Sequence, residues 1–320
     1  MKNENMKDID VSIVIVCMNN LNNLDICLNS LRKNTTRVSY ETFVVAYLFT
    51  KENLMKARND YPWVNFIESN EIRGFSENNN LALKQAKGRY CFVVNDDTEM
   101  KMPVIDLLVD TIESLPKEVA IVSPHIYLDR INCGFSGKPR YNLTTYILDN
   151  LRISKLYTEK SSYVDQKGVF KTYNISGAAF LIKTDVFSKM GFFDEKYFFC
   201  PEDIALSTKI NKGGYLCYVN SDVTIHHCSG GTWSKMITAT KPAATKGAYY
   251  FYGDNCFLKE TVFVIFSLLM FILRIIYWCT IGRSIDRSKT MRRANYNSIL
   301  ALFSKKTPKE LFIQFYSKLK

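Results

Sequence analysis

No Cys-x-x-Cys pair occurs in this chain, although it holds nine cysteines, and those nine show no regular spacing. That absence excludes a paired-cysteine framework. Cys17, Cys27 and Cys91 instead sit within apolar patterns, as buried thiols of a reducing compartment do. The opening stretch, MKNENMKDIDVSIVIV, has a polar lead and only a short apolar run before Asn19. It lacks the pattern of a signal peptide, and the chain reads as cytoplasmic. Internal repeats and low-complexity segments are also missing. Charge is scarce in net terms over most of the length: the chain carries +11, but residues 259–320 hold 12 Lys or Arg against 3 Asp or Glu, so the first 258 residues are nearly neutral. A nucleic-acid binder would spread such charge beside a recognition motif, and none accompanies it here.

What is present is ample material for a core: 320 residues, 47% hydrophobic and 13% aromatic. Val11 to Val16 is a β-branched run of strand type, a polar turn follows over Asn19 to Asn23, and Leu24, Cys27, Leu28 and Leu31 recur at helical spacing. Strands are expected at Phe43 to Leu48 and Val64 to Ile67, with a helix over Lys51 to Asp60 between them. A helix over Glu77 to Lys87 is expected to stop at Gly88, and Tyr90 to Val94 reads as a short buried strand. Helix then strand recur at Val104 to Leu115 and Val119 to Ser123. This alternation predicts an α/β fold with a doubly wound, mostly parallel sheet. Tyr127 to Lys171 breaks the rhythm and reads as an insertion over the sheet, a lid or an acceptor-site segment. The pattern resumes with a strand at Ile175 to Ile182, a short helix at Asp185 to Met190, and a helix opened by Pro201, Glu202 and Asp203 and closed by Gly213 and Gly214. Two further strands are expected, Tyr215 to Val219 and Val223 to His226, before a loop at Gly230 and Gly231.

Three polar clusters interrupt this framework. Asn95, Asp96, Asp97 and Thr98 end a buried strand, Glu202 and Asp203 start a helix, and His226 and His227 end a strand. Each has a plain structural reading, as a turn, a helix-dipole partner and an edge histidine. The strand-end carboxylates also stand at the edge where open α/β sheets bind ligands, and there they can hold a divalent cation against a phosphorylated substrate.

In their order the clusters resemble the inverting family 2 glycosyltransferases, particularly the rhamnosyltransferase-like and galactofuranosyltransferase-like branch with the GT-A, Rossmann-like fold. VSIVIVCMNN resembles that family's nucleotide-binding strand and loop, and GFSENNNLALKQAKGRYCFVVNDDT its central segment through the metal-binding aspartates. ISGAAFLIKTDVFSKMGFFDEKYFFCPEDIALSTKINKGGY is similar to the acceptor-side segment, and VTIHHCSGG to the segment that contributes a metal-binding histidine. The resemblance implies Asp97 and His226 as ligands of Mn²⁺ or Mg²⁺, Asp203 as the base that deprotonates the acceptor hydroxyl, and Glu202 as its fallback. It places Cys17, Asn19, Gly74, Asn79, Asn80, Asn95, Asp96, Gly177 and Ala178 near the nucleotide or sugar, with backbone access the physical reason at Gly74. The chain departs from the pattern at Asn95, where the family's first Asp would stand, and at Ala46 and Tyr47, where an Asp commonly holds the base. A uridine or thymidine base therefore stays an expectation only.

Thr261 to Leu273 is thirteen residues without a charge, and apolar character resumes after Arg274 through Ile281. One span would set the basic tail and the sugar-nucleotide site on opposite sides of the bilayer, and Arg274 near its middle would be expensive there. The stretch is therefore expected to lie in the interface, with Arg283, Arg287, Lys289, Arg292 and Arg293 on anionic headgroups. These readings predict a glycosyltransferase domain over 10–240 and a helical, membrane-associating segment over 241–320, peripheral or monotopic at the inner face of the cell membrane. The activity implied is metal-dependent transfer from a UDP- or dTDP-sugar to a glycan or lipid-linked acceptor of surface-polysaccharide synthesis, with no nucleic acid and with oligomerisation left open. A non-catalytic scaffold of the same fold is the alternative. A sugar nucleotidyltransferase fits less well, because MNNLNNLD after the first strand offers no basic Gly-rich loop.

Overall fold

In chain order, β1 (Val11–Cys17), α1 (Leu21–Asn34), β2 (Tyr40–Tyr47), α2 (Lys51–Asp60), β3 (Asn65–Ser69), α3 (Phe75–Leu83) and β4 (Tyr90–Asn95) form the first half of a computed structural model, which describes residues 9–129, 133–135, 137–153, 166–228 and 236–317. The helices start where short polar side chains satisfy free backbone donors: Asn20 accepts from the Asn23 N–H and Thr50 from the Asn53 N–H. Then come β5 (Thr98–Glu99), α4 (Val104–Ser114), β6 (Val119–Leu128), β7 (Cys133–Phe135), α5 (Leu143–Asn150), β8 (Val169–Thr172), β9 (Ala179–Lys183), α6 (Thr184–Lys189), α7 (Glu202–Lys212) and β10 (Leu216–His227).

The strands make one sheet in the order β3-β2-β1-β4-β9-β6-β10-β5, with β7 beside β6 and β8 beside β10. β3, β2, β1 and β4 are mutually parallel, β9 runs antiparallel between β4 and β6, and β10 is parallel to β6. Val11, Ile13, Val14 and Ile15 are all buried, which is why β1 reads as an unbroken apolar run: helices cover both faces of the sheet. The expected α/β, mostly parallel architecture is therefore present.

Several boundaries differ from the sequence reading for local reasons. α3 begins at Phe75, because Gly74 is its N-cap and Glu77 reaches back to accept from the Gly74 N–H at 3.0 Å. It ends at Leu83, and Gly88 is no helix stop: its N–H donates to Ser12 Oγ at 2.8 Å, with β1 so close that a Cβ would lie 2.5 Å from the Ser12 nitrogen. Only Ala179 onward of the expected Ile175–Ile182 strand is a strand, and the two expected final strands are one, β10, with a register irregularity between Asn220 and Thr224. The Gly230-Gly231 loop lies outside the described residues, as do 130–132, 136 and 154–165 of the expected insertion.

Four helices close the chain: α8 (Ile237–Gly253), α9 (Phe257–Cys279), α10 (Ser288–Phe303) and α11 (Pro308–Tyr316). The expected boundary at 240 falls inside α8. Ala239 and Ala243 on α8 and Ala301 on α10 are buried in one cluster with Leu311, Phe312, Phe315 and Phe198, so small residues bring the helices together and aromatic ones seat them on the segment before α7. α9 docks along one stripe: Phe263, Ser267 and Phe271 are buried, and Tyr146 Oη lies 3.0 Å from Ser267 Oγ. Arg274, expected to be costly, donates to Asn150 Oδ1 of α5 at 2.9 Å. The other face is bare, with Phe257 84% and Ile265 64% exposed. Among the described residues α9 alone is long and apolar enough to cross a membrane, by length and composition.

Candidate active site

The aspartate loop stands where β4 leaves the sheet. Strand pairing sets Ala179 opposite Val94, so the residues just before β9 lie at the C-terminal edge of β4. There the Asn95 N–H donates to the Ala178 carbonyl at 2.9 Å, and the Gly177 N–H donates to Asp203 Oδ2 at 3.2 Å. Two adjacent residues, Gly177 and Ala178, thereby join the aspartate loop to the start of α7.

Asp203 also accepts from the Ile204 N–H at 2.8 Å, and Lys138 Nζ lies 3.7 Å from its Oδ2. Two backbone donors and a lysine thus fix the position of this carboxylate. Its neighbour Glu202 is different: burial raises its pKa, the charge of Asp203 raises it further, and its Oε2 is a buried atom without a hydrogen-bond partner. The two adjacent carboxylates thus differ in setting: Asp203 is held by backbone donors and a lysine, whereas burial favours the neutral form of Glu202.

At the aspartate loop the structure sets His227, not the expected His226, against Asp97: Nε2 is 2.9 Å from Asp97 Oδ1. His226 Nδ1 instead lies 2.8 Å from Asp129 Oδ1. The reason is strand alternation, since successive β10 side chains point to opposite faces and β5 pairs His227 with Thr98 and His226 with Glu99. Asn95 Nδ2 is 3.4 Å from His227 Nε2, so this neutral residue contacts the histidine. Asp96 is half-buried beside Cys17; burial, then the Asp97 charge among the raising causes, pushes its carboxyl up to about 7, and burial drives the Cys17 thiol far above its ordinary range.

Four residues expected near the nucleotide are engaged within the protein. Asn19 Oδ1 accepts from the Thr50 N–H and from Asn53 Nδ2. Gly74 admits the backbone of Phe198, whose carbonyl would be 2.5 Å from a Cβ, so the close approach there is by protein and not ligand. Asn79 donates to the Phe75 carbonyl, and Asn80 clamps the Phe193 peptide and Glu195, donating to Phe193 O at 3.0 Å and accepting from Phe193 N at 3.2 Å. Both are about 1–2% exposed and serve packing. In place of the family's base-holding Asp, the buried Tyr47 hydroxyl accepts from the Arg73 N–H. Lys138 escaped the sequence reading, and His227 was read as part of the strand-end pair but not as the partner of Asp97. Lys138 lies in the insertion with no signal of its own, whereas the His226-His227 pair with strand alternation left only two choices.

A divalent cation fits the donors present in a limited way. Asp97 and His227 supply one carboxylate and one imidazole, and among the described residues no cluster of three or more His, Cys, Asp or Glu is formed. Such a pair suits an ion that takes its remaining ligands from a diphosphate and water.

Residues 12–190 match the profile of Glycosyl transferase family 2. The N-acetylglucosaminyl-diphospho-decaprenol L-rhamnosyltransferases of two Mycobacterium tuberculosis strains are each 33% identical over 82 residues, which is 25% of this chain and 26% of theirs. The chain therefore spans about a quarter of the length of these curated relatives. Among solved structures, the mannosyltransferase PcManGT of Pyrobaculum calidifontis in complex with GDP-Man and Mn²⁺ has a TM-score of 0.53 at 13% identity, covering 94% of this chain and 89% of that one. GalNAc-T7 with UDP, GalNAc and Mn²⁺ has a TM-score of 0.54 at 16% identity, covering 80% and 54%. The profile spans more than half of the chain and includes the Asp97 loop, while the sheet carries the same fold through β10: this chain belongs to glycosyl transferase family 2 and is a glycosyltransferase of GT-A fold.

Proposed function

We propose that this glycosyltransferase is inverting and metal-dependent, and that it moves a sugar from a UDP- or dTDP-sugar to a membrane-held glycan, a lipid-linked precursor of a surface polysaccharide. The observation that carries the reading is the bridge from Asp203 through Gly177 and Ala178 to the Asp97 loop. It sets a carboxylate beside the Asp97 loop, as a direct displacement needs. Asp203 is the base: it takes the proton of the acceptor hydroxyl as that oxygen attacks the anomeric carbon. Glu202, buried and neutral, cannot accept that proton without first ionising in an apolar setting. Asp97 and His227 are the residues that would hold Mn²⁺ or Mg²⁺, which supplies positive charge to the departing nucleoside diphosphate. Lys138 orients Asp203.

Membrane association is supported by the bare apolar face of α9 and by the exposed Arg283, Arg287, Lys289 and Arg293 that follow it. Because α9 is docked lengthwise on α5 through Ser267 and Arg274, it fits a helix lying in the interface at the inner face of the membrane. The curated relatives' name includes a diphospho-decaprenol, which agrees with a lipid-linked acceptor.

The test is nucleotide release by purified full-length protein from a panel of UDP- and dTDP-sugars with Mn²⁺, with and without a lipid-linked acceptor extract. Acceptor-dependent release is expected. No sugar-nucleotide binding, with or without metal, would instead identify a non-catalytic scaffold.

A further inference from the structure

Beside α7, on the face turned toward the insertion and the C-terminal helices, is an open cavity of about 870 Å³. Its walls come from three parts of the chain: residues 140–144 of the insertion, the turn at 192–197 with α7, and the α8–α9 junction at 250–259. The charge in it is uneven. Lys196 is paired with Asp194 at 2.9 Å and Lys259 with Asp254 at 3.0 Å. Among the described residues, Arg140, Lys209 and Lys212 also line the cavity and have no carboxylate within ion-pair distance. Three unneutralised cations facing one space favour a multiply charged anion. Tyr141, Phe251 and Tyr252 form aromatic wall between them, a surface suited to the apolar face of a sugar ring or to an isoprenoid. Thr208, also in the wall, has a buried hydroxyl without a hydrogen-bond partner.

The cavity lies near the base, whose charge acts on Tyr141 and Tyr252 in its wall. Ala205 and Leu206 line it from α7, one helical turn or less beyond Asp203. Lys138 sits on Asp203 while Arg140, two residues on, lines the cavity, so the insertion reaches from one to the other. At the helical rise of 1.5 Å per residue, Lys209 and Lys212 lie about 9 Å and about 14 Å along α7 from Asp203. Lys259 in the cavity wall belongs to the first turn of α9, whose Phe257 and Leu258 are 84% and 70% exposed.

We infer that this cavity is the acceptor site, and that Arg140, Lys209 and Lys212 hold the diphosphate that links the acceptor sugar to its lipid. The inference rests on the proposed transfer to a lipid-linked acceptor and adds where the diphosphate sits. The aromatic wall takes the ring next to the diphosphate, and the lipid leaves along the bare face of α9 into the membrane. The insertion is then a specificity element of the acceptor side.

Farnesyl diphosphate serves as the probe, with farnesol as the control that lacks the anion. Binding to full-length protein is measured by calorimetry for wild type, for Lys209→Glu/Lys212→Glu and for Asp97→Ala. Both lysines are exposed and outside any ion pair, so the double variant is expected to fold; its melting temperature and its sugar-nucleotide affinity should match wild type. Farnesyl diphosphate should bind wild type and Asp97→Ala alike and lose tenfold or more in the double variant, with farnesol indifferent to the substitutions. An unchanged Kd in the double variant, or a loss confined to Asp97→Ala, would overturn the inference, the latter by assigning the diphosphate to the donor site. Sugar-nucleotide binding is read in the same samples. Its absence everywhere, with the lysine effect intact, would count against the proposed donor chemistry and leave this site standing.

Discussion

Asp97 Oδ1 and His227 Nε2 face each other at 2.9 Å across the β5–β10 pairing. They come from positions 130 residues apart in the chain, and neither belongs to a regular strand–helix motif that would announce the partnership. The contact makes His227 the imidazole beside Asp97, and it leaves His226 to Asp129 on the opposite face.

Substituting the two histidines separately should therefore give unequal results. His227→Ala and Asp97→Ala should each lower kcat by about a hundredfold, the equivalent of losing roughly 3 kcal/mol of charge stabilisation. His226→Ala should retain activity within a few-fold. Steady-state kinetics over a Mn²⁺ titration checks this, and equal losses from both histidines would reject the assignment.

The carboxylate pair makes a similar contrast. Asp203→Asn should cost on the order of 10² to 10⁴ in kcat with donor affinity preserved, because it removes only the proton acceptor. Glu202→Gln replaces a neutral carboxyl by a neutral amide and should keep most activity. Glu202 binds its proton more tightly folded than unfolded, so in wild type stability falls as pH rises above the ordinary carboxylate range. That decline should be weaker in Glu202→Gln, as urea melts between pH 4.5 and about 8 will measure.

Lys241 on α8 is a base held against its charge, with burial lowering its pKa to about 7 and the Arg274 guanidinium adding to the shift. The unfolded chain binds the proton more tightly, so the penalty is complete below pH 7, shrinks as pH rises, and is gone near the model-compound value of 10.5. Lys241→Met should stabilise the protein at pH 7 by on the order of 1–2 kcal/mol. It should become destabilising near pH 10.5, where only the lost bond to Asn295 Oδ1 remains. Thermal melts across that range read the crossover.

Gly74→Ala forces a methyl group against the Phe198 carbonyl, 2.5 Å away in the present geometry. Overpacking of this kind costs about 1–3 kcal/mol. Loss of stability is expected with the sugar-nucleotide Kd of the folded fraction unchanged, whereas a pure affinity loss would return Gly74 to the nucleotide site.

For the membrane, Ile265→Ser/Leu269→Ser should weaken binding to phospholipid vesicles by roughly 1 kcal/mol or more per residue without altering the melting temperature, since both side chains are already solvent-exposed. Binding to anionic vesicles should also fall with added salt, because Arg283, Arg287, Lys289 and Arg293 act through screened charge. Vesicle co-sedimentation at two ionic strengths measures both effects.

Much of the framework was readable from residue order. The apolar runs at Val11 to Val16 and Tyr90 to Val94 are strands because strands buried on both faces need no polar alternation, and the turns at Asn19 to Asn23 and Asn95 to Thr98 punctuate them. Harder to read were boundaries set by contacts across the fold. Ile175 to Ala178 looks like strand, yet its backbone serves Asp203 and Asn95 instead of a ladder. Gly74, Asn79 and Asn80 look like ligand contacts but pack within the protein, because the groups they meet lie in distant segments or one turn away.

Composition and local pattern by themselves determined the α/β class, the carboxylates at a strand end, the carboxylate pair at a helix start and the apolar helix followed by basic charge, since each depends on neighbours within a few turns of chain. Tertiary structure decided which histidine meets Asp97, which carboxylate of the Glu202-Asp203 pair is pushed toward its neutral form, what accepts from Arg274, and that three lysine and arginine side chains without an ion pair share a cavity with two paired ones. Those outcomes depend on register, burial and the approach of segments more than a hundred residues apart, and no local pattern encodes them.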